Sequence, residues 1–366
     1  MPKYRFTEIA FNSTAKKKPT EADKDAYIGL EHLDSGTLTV SRWGSDVAPI
    51  GEKLIMKKGD ILFGKRRAYQ KKVGIAPFDG IFSAHGMVLR PREEVITKEY
   101  FPLFISSDYF LDEAIRISVG SLSPTVNWKD LKDLEFNIPT IEEQRRITPL
   151  VWAAIETKNA YKSLISGIDD LVKSQFIEMI YTQGYPSVKV GEVLHQTLKT
   201  ERIVDTLKEK YVTVALHGLG ARERNIDVYD PKPFSAYRIK AGQFIYSRID
   251  ARNGAFSIIP EVLDGAVVSK DFPVFDIDTT KIMPQMLLFS MLDENFIQQI
   301  KQNSLGSTNR QRIKEDVFLE YQIVLPPIDV QQAFEAFVKQ SDKSKFELEQ
   351  AIQKVDNLIK SLISQE

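Results

Sequence analysis

The sequence repeats itself once, and the second copy begins near Gly184. Residues 57–65 (KKGDILFGK) recur as residues 240–248 (KAGQFIYSR), and residues 138–144 (IPTIEEQ) recur as residues 325–331 (LPPIDVQ). Further matches, in the same order, are residues 4–9 with 188–193, Tyr27-Ile28 with Tyr211-Val212, Asp79-Gly80 with Asp264-Gly265, and Val119-Gly120-Ser121 with Leu305-Gly306-Ser307. The displacement stays between 183 and 187 residues. The chain is therefore expected to fold as two related halves.

Composition places the chain among ordinary globular proteins. Of its 366 residues, 43% are hydrophobic and 27% are charged, and no apolar run approaches the length of a membrane-spanning helix. The absence of cysteine excludes disulfides, thiolate metal sites and cysteine nucleophiles. The N-terminus lacks the apolar stretch of a secretory signal, so we expect a cytoplasmic protein. A net charge of −1 means that any binding of nucleic acid must depend on local charge.

Each half divides into a globular part and a long helix. The globular parts are rich in Gly, Pro, β-branched and aromatic residues, with short alternating runs and Asp-Gly turns, which predicts much β-structure. Helices are expected in them over residues 98–117 and 283–302. The fold class is α+β. The predicted division is a first globular domain at 1–139, a first helix at 140–183, a second domain at 184–326 and a second helix at 327–366.

The two long helices carry a heptad pattern. Thr140 or Asp329 is expected to cap the start of each helix. Apolar residues then follow at alternating spacings of four and three, broken in both helices at Lys158 and Lys345. The predicted seam residues are Ile147, Val151, Ile165, Ile168 and Val172, and Phe334, Val338, Ile352, Val355 and Ile359.

A period of 3.5 residues favours helix packed against helix, whereas a helix that covers a single domain favours 3.6. The alternative is that each helix covers its own domain. We expect an antiparallel coiled coil between two globular domains, related by a pseudo-twofold axis.

Basic and amide-bearing loops stand at matching places in the two halves. Arg, Lys, Asn and Gln are the residue types that pair with base edges, and Ser, Thr and Lys commonly contact phosphates. The loops differ most between the halves, which suits two domains that recognise different sequences. The candidate DNA-binding residues of the first half are Lys65, Arg66, Arg67, Tyr69, Gln70, Lys71, Lys72, Ser121, Ser123 and Asn127. Those of the second half are Arg222, Arg224, Asn225, Arg248, Arg252, Asn253, Ser307, Thr308, Asn309, Arg310 and Arg312.

Motifs for catalysis are incomplete. Residues 59–65 have the spacing of a nucleotide-binding P-loop, but Arg66 stands where Ser or Thr must hold Mg²⁺, and the interior is apolar. Residues 137–140 and 325–328 fall short of the Asn/Asp-Pro-Pro-Tyr tetrapeptide of amino-methyltransferases. The four histidines have no metal-binding spacing. We therefore expect no catalytic residues and no metal site.

The order of these motifs resembles the DNA-specificity subunit of type I restriction–modification enzymes, over essentially the whole chain. The most specific part is residues 138–147 (IPTIEEQRRI), followed by residues 176–179 (FIEM). In the second copy, residues 329–332 (DVQQ) replace the Glu-Glu-Gln, so that copy departs from the family pattern at the place where partner contacts are expected.

The resemblance implies two target-recognition domains, each of which binds one half of a split double-stranded DNA site. The helices would fix the gap and dock two modification subunits. S-adenosylmethionine would belong to those subunits, ATP and Mg²⁺ to restriction subunits, and this chain would bind no cofactor. Two alternatives stay open: a scaffold that assembles other proteins through its coiled coil without binding DNA, and a self-contained nuclease or methyltransferase.

Overall fold

The structure is a computed structural model that describes residues 1–196, 199–224, 232–303 and 312–364. The chain forms two compact units. Unit 1 comprises Met1–Ser163 and Glu349–Glu366, and unit 2 comprises Leu164–Leu348. Each unit therefore contains one globular half of the repeat together with a segment of each long helix.

Two sheets and a short ribbon form the β-structure of unit 1. One sheet has the order β2-β9-β6-β7, with antiparallel neighbours, and the other has the order β3-β5-β8-β4, in which β4 runs parallel to β8. The ribbon pairs β1 with β10. The strands are β1 (Lys3–Arg5), β2 (Ala10–Ser13), β3 (Lys16–Lys17), β4 (Tyr27–Ile28), β5 (Lys53–Met56), β6 (Ile61–Phe63), β7 (Val73–Ile75), β8 (Gly80–Phe82), β9 (Met87–Pro91) and β10 (Glu135–Asn137).

The helices of unit 1 cover the apolar face of the first sheet. Where one helix was expected over 98–117, there are two, because Ser107 adopts an extended conformation and its hydroxyl accepts a hydrogen bond from the Phe110 amide. Phe6, Phe104, Phe110 and Phe136 meet in the core. The helices are α1 (Phe6–Ile9), α2 (Phe101–Ser106), α3 (Asp108–Arg116), α4 (Trp128–Leu131) and the start of α5 (Ile141–Tyr181).

Unit 2 repeats this plan. The sheet order β12-β20-β17-β18 corresponds strand for strand to β2-β9-β6-β7, and β11 pairs with β21 as β1 pairs with β10. The remaining pairings are β13-β16-β19 and β14-β15. The strands are β11 (Ser187–Lys189), β12 (Leu194–His195), β13 (Glu201–Ile203), β14 (Val212–Val214), β15 (Ala221–Glu223), β16 (Phe234–Arg238), β17 (Phe244–Tyr246), β18 (Phe256–Ile258), β19 (Val267–Ser269), β20 (Val274–Ile277) and β21 (Gln322–Val324).

The helices of unit 2 also differ from the expected single helix over 283–302. Asp293 is extended and separates two helices, at the place that corresponds to Ser107 in unit 1. The prediction was wrong in both copies because a single polar residue can end one helix and cap the next. The helices are α6 (Pro284–Leu292), α7 (Glu294–Asn303), α8 (Glu315–Leu319) and α9 (Ile328–Ser364).

The long helices α5 and α9 begin differently. Thr140 caps α5 as predicted, since its Oγ1 accepts a hydrogen bond from the Glu143 amide at 3.3 Å. Asp329 does not cap α9; it lies inside the first turn, and Pro327 precedes the helix. Pro149 lies inside α5, where it removes one hydrogen bond to the carbonyl of the preceding turn, yet the helix continues to Tyr181.

Within each unit, segments of α5 and α9 run antiparallel. In unit 1, Lys158 faces Asp356, and the seam residues Ile147 and Val151 are buried in a core against which Ile359 packs. In unit 2, Lys345 faces Asp169. There Val172, Phe334 and Val338 are buried, Ile168 packs against them, and Ile165 is half-buried. The seam residues Ile352 and Val355, which belong to unit 1, are also half-buried.

A buried glutamine anchors the start of each long helix. Gln144 donates from Nε2 to the carbonyl oxygens of Val95 (2.9 Å) and Pro139 (2.8 Å), and its Oε1 accepts from the Thr97 amide (2.8 Å). Gln331, 187 positions later, makes the corresponding bonds to the carbonyls of Lys281 (2.9 Å) and Pro326 (2.8 Å) and the amide of Met283 (2.8 Å). These side chains tie each helix to the globular half that precedes it.

Candidate nucleic-acid interface

The predicted basic loop and polar loop of the first half lie side by side. We call residues 64–72 and 118–127 surface 1. The Val126 amide donates to the Lys65 carbonyl at 2.9 Å, and the Arg67 amide donates to the Pro124 carbonyl at 2.7 Å. In addition, Nε of Arg66 donates to Oγ of Ser123 at 3.0 Å. The structure thus joins two segments that are more than fifty residues apart in the sequence.

The polar loop of surface 1 is a tight hairpin. Val119 and Thr125 exchange backbone hydrogen bonds of 3.0 and 2.9 Å, and residues 120–122 between them are exposed. Ser121 is exposed at the tip, and Leu122 beside it is 94% exposed. Ser123 and Asn127 are half-buried, Asn127 immediately before α4.

The basic loop of surface 1 turns through two left-handed residues. The short 3-10 helix Ala68–Gln70 is preceded by Arg67 (φ 54°) and followed by Lys71 (φ 48°), a backbone region that strains any residue with a β-carbon. Arg67 and Tyr69 are exposed, and Gln70 is half-buried. In the part of the chain that the structure describes, the Arg67 guanidinium has no hydrogen-bond or ion-pair partner.

The lysines of surface 1 fall into two groups. Burial lowers the pKa of Lys65, and the positive charge of Lys16 lowers it further. Lys71, by contrast, forms ion pairs with Asp108 and Asp112, and Nζ of Lys72 donates to the Leu30 carbonyl at 2.7 Å. Lys71 and Lys72 therefore already have partners within unit 1.

In the second half, a β-hairpin rests on the segment that corresponds to Ala68–Gln70. We call residues 215–224, 247–254 and 312–313 surface 2. The hairpin joins β14 to β15, and its tip is fixed by hydrogen bonds from the His217 amide to the Asn253 carbonyl (2.8 Å) and from the Gly218 amide to the Gly254 carbonyl (2.9 Å). His217 adopts φ 57°.

The arginines of surface 2 differ in their exposure and in whether they form ion pairs. Arg222 on β15 and Arg224 just after it are exposed, whereas Arg252 and Asn253 are half-buried. Arg248 forms a half-buried ion pair with Glu315. Arg312 is exposed and lies 3.3 Å from Asp271. The predicted residues Asn225, Ser307, Thr308, Asn309 and Arg310 lie outside the described residues.

Equivalent backbone bonds build the two surfaces. The bond from the Val126 amide to the Lys65 carbonyl has its counterpart in the bond from the Ile313 amide to the Arg248 carbonyl, at 2.9 and 3.0 Å. In both halves, the end of a buried strand is thus bonded to the segment that leads into a short helix, α4 or α8. The side chains that this shared framework presents are different.

Two features of the site were not predicted from the sequence. The charge of Lys16 contributes to the lowered pKa of Lys65, and the run of three lysines at 16–18 is a signal for it. The exposed His85 supplies the carbonyl that accepts the Arg66 amide at 3.3 Å, and no sequence signal points to it. The described residues contain no group of His, Asp and Glu suited to a metal ion. Over the same residues, no helix is long and apolar enough to cross a membrane.

Comparison with known proteins supports the likeness in sequence and fold. Over 176 residues the chain is 24% identical to the specificity subunit of the type I restriction enzyme EcoDI from Escherichia coli, a match that covers 46% of this chain and 39% of that subunit. The match thus spans well under two thirds of that relative.

Two solved structures share the fold over nearly their whole length. One comes from work on complex assembly and conformational transition of the type I R-M system; it covers 100% of this chain and 96% of its own, with TM-score 0.62 and 15% identity. The other is the S subunit of a type I restriction-modification system from M. genitalium, covering 99% and 94%, with TM-score 0.53 and 12% identity.

The type I restriction modification DNA specificity domain matches residues 7–151 and again residues 184–355. The two matched segments fall in the two halves of the repeat and together include most of the chain. The chain therefore belongs to the family of type I restriction-modification DNA specificity proteins.

Proposed function

We propose that this chain selects the DNA sequence for a type I restriction–modification complex, with surface 1 and surface 2 each contacting one half of a split site. One observation carries the proposal: equivalent backbone hydrogen bonds build both surfaces, while the polar side chains on them differ. A shared framework with different contact residues is what two readers of different sequences require.

Surface 1 combines groups for base and phosphate contact. Arg67 and Gln70 can donate to purine edges in the major groove, where a good bidentate contact contributes about 1–3 kcal/mol of discrimination. Lys65 and Lys16 suit phosphate. Burial and the charge of Lys16 lower the pKa of Lys65, and a bound anion would favour its charged form. Ser123 holds the Arg66 guanidinium in a defined direction.

The five cationic side chains of surface 2 are all arginines. Arg222 and Arg224 stand on an exposed hairpin edge, and Arg252 and Asn253 stand on the turn beneath its tip. Arginine together with asparagine can read guanine and adenine. We assign Arg248 to the support of this surface, because Glu315 already occupies its guanidinium.

The long helices would set the distance between the two half-sites. Helix α5 has 41 residues and is about 60 Å long at 1.5 Å per residue. It contributes to both units without a break. In this proposal, the length of the helix would fix the number of base pairs between the two half-sites.

The exposed face of α5 suits helices of partner subunits. This face carries three leucines that are each more than half exposed: Leu150, Leu164 and Leu171. They are separated by 14 and 7 residues, so they share one heptad position. Small exposed residues between and after these leucines complete an alternating spacing of three and four: Ala153, Thr157, Ala160, Gly167 and Ser174. A second heptad stripe that faces solvent predicts a further helix against it.

We assign this stripe to modification subunits, two of which would join the complex, followed by restriction subunits. S-adenosylmethionine, ATP and Mg²⁺ would bind to those subunits, and this chain would perform no chemistry itself.

The test is methyl transfer by the chain assembled with its modification subunits. The substrates are duplexes with the intact site, a changed first half or a changed second half. Alanine at Lys65, Arg66 and Arg67 together should abolish discrimination at one half-site only. The matched control is Lys98→Ala, which removes an exposed lysine that pairs with Glu93 and is part of neither surface.

Two results would contradict the proposal. Equal loss at both half-sites would exclude two independent readers. If the triple variant were silent while Leu164→Asp abolished assembly, the chain would be a scaffold that does not bind DNA, and methyl transfer by the isolated chain would make it an enzyme.

A further inference from the structure

We propose that Lys71 is a positioning residue for DNA recognition by surface 1. It would act by holding the turn Ala68–Gln70, and with it Arg67 and Tyr69, in the conformation that faces the bases. This inference rests on the proposed function, since it assigns a role to one residue within that site. It assigns Lys71 no contact with DNA.

The backbone of Lys71 is the first reason. Lys71 adopts the left-handed region (φ 48°, ψ 44°), which favours glycine, and its amide closes the turn by donating to the Ala68 carbonyl at 2.9 Å. Gly254 stands at the same place in the second half and also adopts the left-handed region (φ 71°, ψ 32°), and its amide donates to the Ala251 carbonyl at 2.9 Å. The first half therefore keeps a side chain at a strained position where the second half has none.

The partners of that side chain are the second reason. Nζ of Lys71 lies 2.8 Å from Oδ1 of Asp108 and 2.7 Å from Oδ1 of Asp112, both on α3. Although burial lowers the pKa of Lys71, the two carboxylates outweigh it and raise that pKa. Oδ2 of Asp108 also lies 3.2 Å from Nζ of Lys360 on α9. The turn is thus tied through one carboxylate to a long helix of the same unit.

The two halves fix their turns by different means. In unit 2, the backbone of the hairpin tip holds the turn directly, through the bond from the Gly218 amide to the Gly254 carbonyl. In unit 1, the ion pairs of Lys71 join the turn to α3. Removal of the lysine side chain should consequently loosen surface 1 and leave surface 2 unchanged.

The experiment compares Lys71→Gly, Lys71→Met and Lys71→Arg in the chain assembled with its modification subunits. Lys71→Gly removes both the backbone strain and the ion pairs, whereas Lys71→Met keeps the strain and removes the charge. Each variant is measured for its thermal midpoint and for methyl transfer to the three duplexes described above.

We expect Lys71→Gly to lower the thermal midpoint by no more than about 2 °C, because relief of strain offsets the lost ion pairs. It should nevertheless reduce discrimination at one half-site at least tenfold, with the other unchanged. Lys71→Arg should restore discrimination. A residue with a merely structural role would move the midpoint together with both half-sites.

If Lys71→Gly left discrimination unchanged, or reduced it equally at both half-sites, Lys71 would not be a positioning residue. The proposed function would still hold, provided that the wild-type complex recognises the split site. If the wild-type complex itself showed no preference for a split site, the proposed function would fail, and this inference with it.

Discussion

Lys158 on α5 forms an ion pair with Asp356 on α9, with 2.5 Å between Nζ and Oδ1. The repeat displacement at the long helices is 187 residues, so Lys158 corresponds to Lys345 and Asp356 corresponds to Asp169. Lys345 and Asp169 form the matching ion pair, at 3.0 Å. The same contact made twice with its partners exchanged is the sign of a self-complementary interface. The lysines that interrupt the apolar seam are therefore part of how α5 and α9 recognise each other.

A double-mutant cycle on this pair should reveal favourable coupling. Lys158→Met and Asp356→Asn are each expected to destabilise the protein, and the coupling free energy should be about 0.5–1 kcal/mol, because both groups are partly screened by solvent. The measurement is urea unfolding of the two single variants, the double variant and the parent. A coupling of zero would show that the contact contributes nothing to the helix pair.

The buried glutamines should matter far more for stability than their exposed neighbours. Gln144→Leu leaves one amide and two carbonyl groups without their partner, so the free energy of unfolding should fall by about 2–4 kcal/mol. Gln331→Leu should have the same effect in unit 2. Urea unfolding measures both. Gln332→Leu is the matched control, because Gln332 is exposed on the next position of α9; an equal loss there would refute the anchoring role.

Salt dependence should report the phosphate contacts of surface 1. Each phosphate that a cation neutralises contributes about 0.9 to the slope of log K against log salt concentration. Replacement of Lys65, Arg66 and Arg67 by alanine should lower that slope by about 1–3 in the assembled complex. Fluorescence anisotropy with a labelled duplex at several KCl concentrations gives the value. A slope equal to that of the parent would mean that these residues do not contact phosphate.

Two arginines of surface 2 should behave in opposite ways. Arg248→Met leaves Glu315 without its partner in a half-buried place, so it should reduce the free energy of unfolding by about 2 kcal/mol. Arg222→Ala changes an exposed side chain on β15 and should leave stability within about 0.5 kcal/mol. Its effect should appear in discrimination at the second half-site. If Arg222→Ala lowered stability and Arg248→Met changed only discrimination, the roles assigned to the two arginines would be wrong.

The duplication and the two long helices could be predicted from the sequence because both depend on spacing alone. Val151 and Phe334 are buried as their heptad positions predict. The breaks at Ser107 and Asp293 were missed, since one residue sets each of them and its effect depends on the local backbone. Periodicity detects long elements and overlooks such caps.

The surfaces were predicted only in outline. Residue type identified the basic loops, but it could not show that Asp108 and Asp112, far along the chain, would neutralise Lys71. In the same way, Glu315 removes Arg248 from the open part of surface 2. The role of Gln144 also depends on backbone groups of Val95 and Thr97, which only the folded structure places beside it.

The most direct test of the central claim is to map methylated adenines in the genome of a host with and without this gene. Two readers of different sequence predict one motif made of two unlike half-sites with a constant gap, present only when the gene is present. A continuous motif, a variable gap, or the same methylation pattern without the gene would contradict the account.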